Sequence, residues 1–177
     1  MNLVYFDLES QKLFEEVGGR DPSKLLLACG VTWSSVRNDF AVYWEQDVSA
    51  LIAELKSADR VIGFNIINFD YAVLKPYAPN ENLRSIRSTD MLQDIFRTLN
   101  FRLSLDSIAK ATLGTTKSVD GVQSVKWFRN GELDKVAEYC KADVVITKRV
   151  YEFGRENGFV HYYSKLGSKL KVAVNWK

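Results

Sequence analysis

The chain has 177 residues, of which 46% are hydrophobic and 26% are charged, and its formal net charge is +2. This length fits one domain, and the composition is ordinary for a globular protein. The small net charge excludes a polycation, so nucleic-acid binding would require acids gathered in one pocket and bases around its rim.

The first half of the chain predicts three strands followed by alternating helix and strand. Apolar, β-favouring runs predict strands over 2–9, 25–33 and 39–44, with a hairpin turn over 34–38. Apolar residues at helical spacing predict a helix over 47–57, for which Asp47 is the expected N-cap. A short strand over 60–64 and a helix over 69–77 follow.

The second half of the chain is predicted to be mostly helical. The pattern indicates helices over 90–98, 104–113 and 132–156, and then a hairpin formed by 159–163 and 169–176. Ser104 suits a helix start and Gly114 a helix stop. The irregular stretch 115–126 is expected to be a mobile loop. The order of elements favours a mixed α/β layer around a central sheet, in a single domain over 1–177.

The cysteines and the N-terminus bear on the compartment. Cys29 and Cys140 lie far apart and form no Cys-x-x-Cys pair, so we expect neither a zinc site nor a disulfide framework. Acidic residues arrive before any long apolar stretch, which excludes a secretory signal, and no run approaches membrane-spanning length. We therefore expect a cytoplasmic protein with no membrane partner.

Two carboxylates follow the apolar run of the first strand. Asp7 and Glu9 are two residues apart, so both side chains point to one face of that strand. Two like charges near a core are unfavourable unless a cation neutralises them or one is protonated. The alternative is that Glu9 lies beyond the strand end and that Asp7 caps a turn.

Two further acids lie near elements that are expected to be buried. Asp143 is four residues after Tyr139 on the long helix, so both occupy one face beside its apolar stripe. Asp143 could instead pair with a nearby base such as Lys141, Lys148 or Arg149. Asp70 stands where a short strand gives way to a helix, and there it could be a plain N-cap. Four carboxylates without histidine are the ligands expected for two magnesium-like ions about 3.5–4 Å apart.

These segments resemble the three motifs of the DEDD superfamily of 3′–5′ exonucleases, in the right order. Phe6-Asp7-Leu8-Glu9 resembles the first motif, and Gly63-Phe64-Asn65-Ile66-Ile67-Asn68-Phe69-Asp70 resembles the second as it occurs in the proofreading domain of family B DNA polymerases. Tyr139-Cys140-Lys141-Ala142-Asp143 resembles the third. Tyr139 four residues before the last Asp is typical of the tyrosine branch. The likeness covers roughly residues 2–156 and leaves the hairpin at about 159–176 unassigned.

The resemblance implies a ribonuclease-H-like fold, with three antiparallel strands and then parallel strands in a sheet flanked by helices. It implies that Asp7, Glu9, Asp70 and Asp143 bind two Mg²⁺ or Mn²⁺ ions. Asp7, Glu9 and Asp143 would hold the ion that activates water. Asp7 would also help to hold the second ion, on which Asp70 would act through the water shell of that ion. Tyr139 would orient the attacking water, because a free tyrosine titrates near pKa 10 and is a poor base.

The implied substrate is a single-stranded 3′ end, with DNA favoured and nucleoside 5′-monophosphates as products. The candidate substrate contacts are Leu8, Phe64, Asn65, Phe69 and Lys117. Packing in the core is an equal alternative for Phe64 and the favoured one for Phe69. The alternatives are an exoribonuclease, a binding module without turnover, and an endonuclease of the wider ribonuclease-H-like group. A helicase, a polymerase or another replication or repair protein as partner is left open.

Overall fold

A computed structural model describes residues 1–115 and 121–176 of the chain. Its centre is a five-stranded sheet in the order β3-β2-β1-β4-β5. Strands β1, β2 and β3 are antiparallel, whereas β4 and β5 run parallel to β1. This is the mixed sheet that the sequence predicts. The strand bounds are β1 Leu3–Ser10, β2 Leu27–Ser34, β3 Asp39–Trp44, β4 Arg60–Gly63 and β5 Ser88–Asp90.

Helices cover both faces of the sheet, and a small antiparallel hairpin ends the chain. The described helices are α1 Val48–Ser57, α2 Asp70–Leu74, α3 Met91–Leu99, α4 Leu105–Leu113, α5 Gly121–Arg129 and α6 Leu133–Asn157. The hairpin consists of β6 Phe159–Tyr163 and β7 Lys169–Ala173. Within the described ranges, every helix is too short or too polar to span a lipid bilayer.

Side-chain alternation along β1 divides the core in two. Leu3 and Tyr5 point into a cluster with the buried face of α6, together with residues of α3, α4 and the hairpin. Val4 and Phe6 point the other way, into a cluster with α1 and α2. Because alternate residues share a face, the next odd-numbered positions of β1 point toward α6.

The predicted mobile loop over 115–126 is wrong for residues 121–126, which form most of α5. The prediction missed this helix because its apolar residues are few, although Val125 is buried and Trp127 packs against the α6 cluster. Residues 116–120, including Lys117, lie outside the described residues. The sequence also gave no signal for β5, which has only three residues and extends the sheet beside β4.

The predicted helix ends agree in part with the structure. Ser104 caps α4 by accepting a hydrogen bond from the Ser107 amide at 3.1 Å, and Gly114 ends α4 with a positive φ of 70°. Asp47 does precede α1, but its side chain makes no capping bond to that helix. It accepts a hydrogen bond from the Trp44 amide instead, at 3.3 Å.

Candidate active site

The end of β1 carries the first two acids on the face that α6 covers. Asp7 is half-buried, and Glu9 is only 8% exposed, beside Cys29 of β2. Cys140 of α6 donates a hydrogen bond to the main-chain oxygen of Asp7 at 3.3 Å, and its sulfur also lies 3.7 Å from Asp7 Oδ2. This thiol therefore joins α6 to the strand at the position of the acids.

The turn between β4 and α2 carries the third acid. A Cβ atom on Gly63 would lie 2.9 Å from the main-chain oxygen of Phe6 and would collide with Ile66, so only glycine fits there. Asn65 has a positive φ of 69°, which asparagine tolerates better than most residues. The N-cap position of α2 is occupied by Phe69, so Asp70 is the first helical residue and not the N-cap.

Asp90, at the end of β5, holds this turn in place. Its carboxylate accepts hydrogen bonds from the amides of Asn65 at 2.8 Å and Ile67 at 3.1 Å. It also caps α3 by accepting from the amides of Leu92 and Gln93, at 3.1 and 3.3 Å. Sequence reasoning missed this residue, although an aspartate at the start of a predicted helix, here the first residue of the helix predicted over 90–98, is an N-cap signal.

The fourth acid and the tyrosine come from α6. Asp143 is 4% exposed, and the ring of Tyr139 packs edge-on against Trp127 of α5, with centroids 6.3 Å apart. Two of the lysines that were candidate partners of Asp143 lie close to glutamates of α6. Lys148 forms an ion pair with Glu152 at 2.9 Å, and Lys141 lies 3.9 Å from Glu138.

All five predicted catalytic residues line one cavity of about 450 Å³, which we call the acid cavity: Asp7, Glu9, Asp70, Tyr139 and Asp143. Ligand atoms of Asp7, Glu9 and Cys140 lie within 4.8 Å of one another. Asp70 and Asp143 line the same cavity without belonging to that compact group. The chain thus brings carboxylates from β1, α2 and α6 to one place.

Burial and mutual repulsion make these acids hard to ionise. Burial raises the pKa of Glu9 well above its ordinary value, and the charges of Asp7 and Asp143 raise it further, while the nearby Ser124 hydroxyl opposes the rise. Burial also raises the pKa of Asp70, with a further contribution from the charge of Asp7. Positive charge placed among these side chains would remove the repulsion.

The donor set fits a divalent cation that prefers oxygen ligands. Asp70 Oδ1 is buried and has no hydrogen-bond partner among the described residues, which is unfavourable for a carboxylate oxygen without a cation. Burial raises the pKa of the Cys140 thiol, so this group remains protonated and acts as a hydrogen-bond donor to Asp7. The oxygen atoms of the four carboxylates are therefore the groups available to such an ion.

Four of the five predicted substrate contacts lie beside these acids. Leu8 is buried, whereas Phe64 and Phe69 are half-buried, and all three line the acid cavity. Asn65 lines an adjoining cavity of about 490 Å³, which Asp7, Phe64 and Asp143 also line. Lys117, the fifth, lies outside the described residues.

Comparisons with known proteins agree with this architecture. The family model described as the RNase H superfamily matches residues 4–153. The family B DNA polymerase from the hyperthermophilic archaeon Pyrobaculum calidifontis has a similar structure, with a TM-score of 0.67 and 18% sequence identity over 87% of this chain. The matched part is 24% of the polymerase chain, so this chain spans about a quarter of that protein's length. No curated protein matches the chain at a significant level.

Proposed function

This chain belongs to the RNase H superfamily, and from that premise we propose that it is a 3′–5′ exonuclease of the DEDD superfamily, tyrosine branch. Its proposed substrate is single-stranded nucleic acid, with DNA preferred, and its products are nucleoside 5′-monophosphates. The observation that carries the proposal is the convergence of acids from three chain segments on one cavity, where Asp70 Oδ1 is buried and has no hydrogen-bond partner among the described residues.

In this proposal, Asp7, Glu9 and Asp143 would hold one Mg²⁺ or Mn²⁺ ion, and Asp7 would help to hold a second, on which Asp70 would act through the water shell of the ion. Such ions supply an activated water at neutral pH and stabilise the negative charge of the departing 3′ oxygen. The raised pKa values of Glu9 and Asp70 support this assignment, because positive charge placed beside these carboxylates would favour their ionised forms.

Tyr139 orients the attacking water in this mechanism by a hydrogen bond through its hydroxyl group. The edge-on contact with Trp127 restricts the tyrosine ring on the wall of the acid cavity. Cys140 positions Asp7 through its bond to the main-chain oxygen of that residue. Asp90 positions Asp70 by fixing the turn that precedes it.

The terminal nucleotide of the strand would occupy the acid cavity. Phe69 packs edge-on against Phe14 with ring centroids 6.2 Å apart, and both rings line this cavity. Leu8 and Phe64 complete the apolar part of the wall, next to the acids. Apolar and aromatic surface beside a metal site suits a base that is separated from its neighbour in the strand.

The test is digestion of single-stranded DNA and RNA of one sequence, labelled at the 5′ or the 3′ end, with Mg²⁺, with Mn²⁺ and with EDTA. We expect stepwise shortening from the 3′ end that requires a divalent ion, and faster digestion of DNA. A strand blocked at its 3′ end should resist digestion. Cutting of that blocked strand would assign the protein to the endonucleases, and faster digestion of RNA would make it an exoribonuclease.

A matched variant separates turnover from binding. Asp70→Ala should abolish digestion and should leave the affinity for a single strand within about twofold of the wild-type value, because the strand is gripped by other groups. Absence of ion-dependent digestion by the wild-type protein, together with intact strand binding, would identify a binding module without turnover and would refute the proposal.

A further inference from the structure

A second surface extends from the acids along α3. The adjoining cavity of about 490 Å³ is lined by Asn65 and Arg102, and both residues also line a further cavity of about 290 Å³. Because they share these lining residues, the two cavities lie side by side. We call the pair the arginine groove, and its outer part is lined by Asn68, Gln93, Phe96 and Arg97.

Arg102 lies at the middle of this groove with much of its binding capacity available. Its Nη2 donates to Asn65 Oδ1 at 3.3 Å, and a guanidinium group carries five N–H donors in total. None of the described carboxylates lies within ion-pair distance of it. Arg97, by contrast, is paired with Asp94 at 2.8 Å. An exposed arginine beside an acid-lined cavity is well placed to bind a phosphate group.

Phe96 presents an aromatic ring at the outer end of the groove. The residue is 42% exposed on α3, whereas its neighbour Ile95 is fully buried in the core. The side-chain amides of Asn68 and Gln93 line the same part of the groove. Aromatic faces beside amides and guanidinium groups form the type of surface on which bases of a single strand stack.

The distribution of charge distinguishes the groove from the acid cavity. The acid cavity carries Glu9, Glu15 and Asp70 in addition to the acids that the two share, with Lys12 as a base among its described residues. Among the described residues, the lining of the groove carries Arg102 and Arg97, the latter paired with Asp94, and its acids, Asp7 and Asp143, lie at the inner end. Several consecutive phosphates are therefore accommodated better in the groove than in the acid cavity.

We propose that the arginine groove binds the nucleotides that lie on the 5′ side of the one being removed. Arg102 contacts a backbone phosphate, and Phe96 stacks on a base further along the strand. The inference rests on the proposed function, since it takes the acid cavity as the site of the terminal nucleotide. It adds a strand-binding surface built from α3 and the segment before α4, which is outside the three motif segments.

The experiment compares a long and a minimal substrate in Phe96→Ala and Arg102→Ala. The long substrate is a fluorescein-labelled twelve-nucleotide DNA strand, and the minimal one is the p-nitrophenyl ester of thymidine 5′-monophosphate, which is too short to enter the outer groove. We expect each variant to raise the Kd of the strand, measured in EDTA, by about tenfold. The KM for digestion of the strand, measured with a divalent ion, should rise by a similar factor. For Phe96→Ala, ester hydrolysis should stay within about twofold of the wild-type rate. Arg102→Ala should also reduce the salt dependence of binding by about 0.7 in log–log slope.

Matched controls are Tyr163→Ala, which removes a similarly exposed ring from the hairpin, and Arg84→Ala, which removes an exposed arginine near α2. Both should leave strand binding unchanged, and melting curves should show that all four variants are folded. An unchanged Kd in Phe96→Ala and Arg102→Ala would overturn the inference. Competition by polyglutamate as strong as that by DNA would also overturn it, and would indicate an acidic protein partner.

Failure of the proposed function gives a different result. If the wild-type protein hydrolyses neither substrate, the exonuclease assignment falls, and the binding measurements in EDTA still test the groove. In that case, weaker strand binding by both variants would support a strand-binding groove but would leave the polarity of the bound strand unassigned. Unchanged strand binding would overturn the groove as a binding surface.

Discussion

Two regions of the molecule enclose carboxylates, and they do so in opposite ways. On the α1 face, Glu54 accepts hydrogen bonds from Thr32 at 2.6 Å and Tyr43 at 2.8 Å, and it forms an ion pair with Arg37 at 2.6 Å. In the acid cavity, Glu9 and Asp70 lie beside other acids, and Asp70 Oδ1 has no hydrogen-bond partner among the described residues.

The pKa values reflect this difference in surroundings. Burial alone would raise the pKa of Glu54, but the hydrogen bonds from Thr32, Arg37 and Tyr43 outweigh it and lower the pKa. Burial and like charge together raise the pKa of Glu9 and of Asp70. A buried acid with its own donors serves the fold. A group of buried acids that repel one another indicates a place for a ligand that carries positive charge.

The largest effect is expected for Asp7→Asn, which tests whether the acids of the acid cavity bind a cation. Asp7 lines both cavities and belongs to the compact group with Glu9, so its charge should be required for cation binding. We expect ion-dependent hydrolysis to fall by at least about a thousandfold, or about 4 kcal/mol of transition-state stabilisation. Calorimetry should show weakened binding of Mn²⁺. The control is Asp134→Asn, at an exposed position of α6, and a similar loss in this control would contradict the assignment.

For Glu54→Ala we expect the protein to lose stability and to keep its hydrolytic activity, in contrast to Asp7→Asn. This change removes the acceptor of the buried Thr32 hydroxyl and of the partly buried Tyr43 hydroxyl, so we expect unfolding to become easier by about 3 kcal/mol. Thermal melting should show a Tm lower by about 6–12 °C. Hydrolysis at a temperature well below the Tm should be unchanged. The surface pair of Lys56 and Glu81 provides the control, since Glu81→Ala should alter stability by at most about 0.5 kcal/mol.

Without divalent ions, Asp70→Asn is expected to increase the stability of the fold slightly, whereas Glu54→Ala is expected to decrease it. The folded-state pKa of Asp70 is raised, so the folded protein holds this proton more tightly than the unfolded chain. Wild-type stability should therefore fall as the pH rises from the ordinary carboxyl range through that raised pKa. The variant should escape this loss and be more stable by about 1 kcal/mol near neutral pH.

Chemical denaturation in EDTA between pH 4 and pH 8 measures this difference. The advantage of the Asp70→Asn variant should grow with pH, and saturating Mn²⁺ should reverse it by stabilising only the wild-type protein. A variant that is less stable than the wild type at every pH would show that Asp70 has a structural role like that of Glu54.

The sequence was sufficient for four of the five strands of the sheet and for the elements on which the acids lie. Asp7, Glu9 and Asp143 could be found because each interrupts an apolar pattern of clear period, and such a pattern also fixes the face on which the side chain lies. Asp70 could be found only together with the asparagines before it, because an acid at a helix start is common. The structure leaves the chemical roles of these residues as predictions.

Other parts of the site could not be predicted because their contacts are made with main-chain atoms or between distant segments. Asp90 binds four amides, and amides are present at every position of the chain except proline. Cys140 contacts a residue 133 positions away, through its main-chain oxygen. Helix α5, which packs Trp127 against Tyr139, has a sequence too polar to give a clear helical pattern.

The hydrogen bonds of Asp90 have a mechanical consequence. One carboxylate ties the turn before Asp70 to the first turn of α3, so these two segments shift as a unit if either is displaced. A strand that binds to Phe96 on α3 would therefore act on the Asp90 carboxylate, which also positions Asp70, a proposed catalytic acid. Natural variation that adjusts how firmly the strand is held would, through this shared anchor, also adjust the alignment of the hydrolytic centre.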